Sequence, residues 1–127
     1  MPLSEIQASK MLERWVRERG QCFTNTLAAL QGWHSHGFSS YIMVHGIVRG
    51  QGKIDGLFHG HAWLEFNAHG FEFVVDPSYT SVMPKDDYYQ LGHISYTKRY
   101  TFPEAFDLLC QTSHCGPWDD KINDVCE

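Results

Sequence analysis

Three residues of this sequence have the types and the order for covalent acyl chemistry: Cys22, His61 and Asp76. The nucleophile in such chemistry is a thiolate, and a free thiol with a pKa near about 8.5 is mostly protonated at neutral pH. An imidazole can take that proton. A carboxylate can then hold the imidazole in the right tautomer and stabilise its cation. A helix N-terminus adds unpaired N–H groups and a partial positive charge, which also favour the thiolate. Cysteines in such surroundings reach pKa values of roughly 3.5–7.5.

Cys22 falls where a helix should begin. A first helix is predicted near residues 4–19: Ser4-x-x-Gln7 has the capping-box pattern, and Ile6, Met11, Leu12, Trp15 and Val16 share one stripe. Gly20 ends it. A second helix is predicted from about Cys22 to Gln31, with Phe23, Leu27 and Leu30 at i, i+4 and i+7. The sulfur then lies in a first turn, open to a substrate carbonyl, with the Cys22 backbone N–H as an oxyanion donor.

The imidazole and the carboxylate need strands. Tyr41–Val48 reads as one strand, and His61–Phe66 and Phe71–Asp76 read as two more, joined by Asn67-Ala68-His69-Gly70. Residues 34–40 and 49–56 read as loops. Tyr88–Tyr100 is expected to hold one further strand, Phe102–Gln111 a short helix with Pro103 in its first turn, and residues 113–127 to be irregular. The order gives an α+β fold in a single domain, 1–127, with a Cys-bearing helix on a small antiparallel sheet.

If the hairpin is symmetric about its loop, Phe66 faces Phe71, Leu64 faces Phe73, and His61 lies across from Asp76. Cross-strand Cβ atoms are roughly 4.5–5.5 Å apart, close enough for an imidazole and a carboxylate to share a hydrogen bond. That register gathers Ala62, Leu64, Phe66, Phe71, Phe73 and Val75 on one apolar face. His61, Trp63, Glu65, Glu72, Val74 and Asp76 share the other. It also opposes Glu65 to Glu72, which requires a solvated end.

These pieces together carry a resemblance. Gly20-Gln21-Cys22-Phe23 opening a helix, His61-Ala62-Trp63-x-Glu65, and Val75-Asp76-Pro77-Ser78 resemble the transglutaminase-like superfamily, which places Cys, His and Asp in this order. The intervals, 39 residues from Cys22 to His61 and 15 from His61 to Asp76, also resemble that family's. Arg19-Gly20-Gln21-Cys22 is similar to the Arg-Gly-x-x-Cys element of the distantly related arylamine N-acetyltransferases. The resemblance spans residues 19–78, about half of the chain. It implies a papain-like core, a thiolate at Cys22, His61 as general base and Asp76 as its orienter.

Other side chains have blander roles beside these. Trp63 is expected to pack, with its indole N–H a candidate oxyanion donor. The Gln21 side chain is a second candidate, and Asn25 is expected on the surface. His59 and His61 share a strand face, so with Cys22 and Asp76 they form an alternative zinc set. His114 and Cys115 near Cys110 match no ligand spacing, and neither a metal nor a cofactor is expected. Tyr88, Tyr89, Tyr96 and Tyr100 are expected to pack or to line a groove.

Charge and composition narrow the partners. Ten basic against fifteen acidic residues, a net charge of −5, argue against nucleic acid or an anionic membrane surface. No signal-peptide pattern or membrane-length apolar run is evident, so a soluble cytoplasmic chain is expected. Cys22, Cys110, Cys115 and Cys126 include no CxxC, which suits reduced thiols. The expected activity is hydrolysis of a peptide or isopeptide amide, on a peptide, protein or small amide substrate. The alternatives are acyl transfer to an amine, as in a transglutaminase, and an inactive binding or inhibitor protein on the same fold.

Overall fold

A computed structural model describes residues 22–37, 40–49, 57–77 and 81–125. The predicted helix over 4–19, and Gln21 and Cys126, lie outside the described residues. Helix α1 spans Cys22–Ser35 and buries Leu27, Ala29, Leu30 and Trp33. It runs four residues past the predicted end, because Gly32 and Trp33 continue the buried face. Gly37, at φ +88°, turns the chain away from it.

Four strands and a short helix follow: β1 (Ile42–Arg49), β2 (Phe58–Ala68), β3 (Phe71–Asp76), β4 (Ser81–Pro84) and α2 (Lys85–Leu91). Then come β5 (Thr97–Tyr100), α3 (Phe102–Thr112) and α4 (Asp120–Asp124). The strands form one five-stranded antiparallel sheet in the order β4-β3-β2-β1-β5. The fold is therefore mixed α+β, with four helices among the described residues. No helix there is long and apolar enough to cross a membrane.

The hairpin register differs from the symmetric expectation by two residues. Leu64 faces Val75, Phe66 faces Phe73 and Ala68 faces Phe71. The loop is only His69-Gly70, and both have positive φ, +54° and +82°. Two-residue turns with two positive φ values match the twist of the flanking strands, which explains why the shorter loop wins. A two-residue shift leaves every side chain on its expected face. It also separates the two glutamates: Glu65 faces Val74 and Glu72 faces Asn67. Lys85 of α2 reaches both carboxylates, at 3.3 and 3.5 Å.

Each face of the sheet has its own core. On one, Met43, Ala62, Leu64, Phe66 and Val75 pack with α1 and with Ala105 of α3. On the other, Val44, Val48, Trp63 and Val74 pack with Tyr88, Tyr89 and Ile94. The chain crosses this second face between the two edge strands by way of α2. At Gly46 a Cβ would lie 2.5 Å from the Trp63 ring, so glycine is required for the indole to fill that face.

Two corrections concern the C-terminal third. Part of the segment expected to hold a single strand forms α2, and a further edge strand, β4, precedes it. Within 113–127, expected to be irregular, α4 forms with Asp119 as its N-cap and buries Ile122. The helix expected from Phe102 is present as α3, capped by a reciprocal Thr101–Glu104 box with Pro103 in its first turn.

Candidate active site

The first residue of α1, a strand of the sheet and the end of its neighbour supply the site. Cys22 opens α1 and is half-buried. His61 on β2 and Asp76 at the end of β3 are 4% and 1% exposed. His61 Nε2 donates to Asp76 Oδ2 at 2.7 Å. The two residues are not directly opposed as the symmetric hairpin implied; they are diagonal neighbours. A diagonal separation is within reach of an imidazole.

Cys22, at the start of α1, also favours the charged form of the His61 imidazole. Burial alone pulls the imidazole toward its neutral form. The charge and hydrogen bond of Asp76, joined by the hydrogen bond and charge of Cys22, outweigh it and push His61 up to about 10. The ring is thus a cation at neutral pH, held against the Asp76 carboxylate.

Asp76 has a further donor that the sequence reading missed. The Tyr88 hydroxyl donates to Asp76 Oδ2 at 2.7 Å. In the sequence, Tyr88 and Tyr89 fell in a segment expected to hold a strand and carried only a signal to pack or to line a groove. Pro84 followed by Asp86 and Asp87 was the available sign of a helix start that would aim them at the sheet.

Beside the triad lies a second buried carboxylate. Glu65, expected at a solvated end, is 4% exposed. It accepts from Trp63 Nε1 at 2.9 Å, Tyr89 OH at 2.5 Å and Arg99 Nη1 at 2.5 Å. Burial raises its pKa, but those hydrogen bonds and the Arg99 charge more than offset this, so it stays an anion. Trp63 is fully buried and gives its indole N–H to Glu65. That commits the group away from an oxyanion and leaves Trp63 a packing role.

The remaining candidates are elsewhere. Asn25, expected on the surface, is fully buried in α1. The His59 and His61 rings are 5.9 Å apart, and no group of three or more His, Cys, Asp or Glu gathers as metal ligands among the described residues. His114 is exposed and accepts from the Gly116 N–H. Cys110 and Cys115 are free thiols. Tyr96 donates to Asp119, and Tyr100 packs edge-on against His45.

In comparisons with known proteins, no family model, no curated protein and no solved structure matches the chain.

Proposed function

We propose that this protein is a cysteine-dependent acyl-transfer enzyme of transglutaminase-like, papain-related design, with Cys22 as nucleophile, His61 as acid–base and Asp76 as orienter. One observation carries the reading: a buried imidazole hydrogen-bonded to a buried carboxylate, with a cysteine at the start of a packed helix favouring its charged form. The order of parts supports it. A cysteine opens a helix packed on an antiparallel sheet, a histidine follows on a central strand, and an aspartate ends the next strand.

In the reaction, the Cys22 thiolate attacks an amide carbonyl carbon, and backbone N–H groups at the start of α1 stabilise the oxyanion. The C–N bond breaks as His61 gives its proton to the leaving amine. A thioester remains on Cys22. Water or an amine then attacks it, His61 takes the attacking group's proton, and the thiolate is restored. Hydrolysis of a peptide or isopeptide amide is the favoured outcome; transfer to an amine is the alternative on the same intermediate.

Intact-mass spectrometry after incubation with activated acyl esters tests this. The expected result is a stoichiometric acyl adduct on Cys22, discharged by water and, when supplied, by amines, and absent in Cys22→Ala and His61→Ala. Equal acylation of Cys22, Cys110 and Cys115, indifferent to His61→Ala, would contradict it and favour a binding protein.

A further inference from the structure

We propose that Tyr88 is a positioning residue of this site, holding the Asp76 carboxylate with its Oδ2 directed at His61. The inference rests on the acyl-transfer reading above. The same oxygen, Asp76 Oδ2, accepts from His61 Nε2 at 2.7 Å and from Tyr88 OH at 2.7 Å. The two donors come from different elements, β2 and α2, so the carboxylate is fixed against rotation from two directions. At 1% exposure it gains little from solvent, so its orientation depends on the donors that surround it. The tyrosine ring is itself held, packed on the buried Trp63 indole with centroids 5.3 Å apart.

The next residue supplies an internal control. Tyr89 lies on the same helix, packs on the same indole at 5.9 Å, and also donates to a buried carboxylate, that of Glu65. Glu65 makes no hydrogen bond to His61 among those described; its partners are Trp63, Tyr89, Arg99 and Lys85. Among the described hydrogen bonds, those to Asp76 come from His61 on β2 and Tyr88 on α2. His59 lies against His61, Cys22 acts through the imidazole, and Lys85 is turned to Glu65 and Glu72. Strand β4 brings no titratable side chain.

Without the Tyr88 hydroxyl the buried carboxylate loses a charge-assisted hydrogen bond and is held less firmly against the imidazole, so the His61 cation is less well supported. Tyr88→Phe and Tyr89→Phe in the full chain separate this from a role in the fold. The readout is the pH profile of Cys22 labelling by iodoacetamide. Tyr88→Phe should move the acid limb up by about one pH unit and slow labelling below neutrality about tenfold, the scale of one hydrogen bond to a charged group. Tyr89→Phe should lower the thermal midpoint and leave the limb in place.

A second readout needs no reactive thiol. In a Cys22→Ala background, the proton NMR signal of His61 Nε2–H is followed against pH with and without Tyr88→Phe. Its loss at higher pH in Tyr88→Phe supports the positioning role even if Cys22 in wild type labels like any free thiol, a result that sinks only the acyl-transfer reading. If Tyr88→Phe does not fold, site-specific 3-fluorotyrosine, a stronger donor, should move the limb the opposite way. Unchanged limbs and an unchanged His61 signal overturn the proposal.

Discussion

His45 and His61 stand one step apart on paired strands, since His45 faces Ala62 and Gly46 faces His61. Both are buried, at 0% and 4% exposure, yet they are opposites. His45 points to the α1 side, among the rings of Phe23, Tyr100 and Trp118 at 4.7, 5.0 and 5.1 Å. Neither of its ring nitrogens has a hydrogen-bond partner among the described residues. Burial pulls it down to about 3, against a weaker opposing pull from the Asp119 charge. His61 points to the other face, meets Asp76, and is pushed up to about 10 in spite of burial. Burial alone makes an imidazole neutral; a carboxylate at hydrogen-bond distance reverses the outcome.

The two histidines therefore load stability onto opposite sides of neutrality. A raised folded-state pKa gives His61 a contribution fully present below the ordinary value of 6.5 and lost as pH rises through about 10. A lowered one gives His45 a contribution present above 6.5 and lost as pH falls toward about 3. Asp76→Asn should turn His61 into a second His45. Denaturant unfolding across pH should then lose the decline above 6.5, with stability at neutral pH reduced on the order of 3 kcal/mol. Parallel wild-type and variant curves would break the comparison.

His45→Phe should act with the opposite sign. The phenyl ring keeps the aromatic packing and cannot take a proton, so the acid-side decline shrinks. At pH 5 the variant should be about 2 kcal/mol more stable than wild type, as follows from about 1.4 kcal/mol per pH unit below the ordinary histidine value. The same unfolding series measures it. A variant that tracks wild type through the acid range would mean that the imidazole is not held neutral in its ring cage.

The sequence made the His61–Asp76 pair legible because face alternation survives error. The hairpin shifts by two residues, and His61 and Asp76 still share a face and still meet, diagonally rather than head-on. A one-residue error would have separated them. The helix bearing Cys22 was equally plain from Phe23, Leu27 and Leu30. Glu65 was misread because a carboxylate is ordinarily exposed; its burial depends on Tyr89 and Arg99, 24 and 34 residues away along the chain. Helix α2 and strand β4, seven and four residues long, are too short for periodicity to detect. Tyr88 was invisible as a partner of Asp76 for that reason.

The central claim is that His61 activates Cys22, and the rate of Cys22 alkylation by iodoacetamide across pH tests it most directly, with peptide mass spectrometry to assign the site. Cys22 should react faster than Cys110 and Cys115 below neutral pH, and His61→Ala and Asp76→Ala should each remove this advantage. A Cys22 that titrates like a free thiol near about pH 8.5, or that labels only on unfolding, would contradict it.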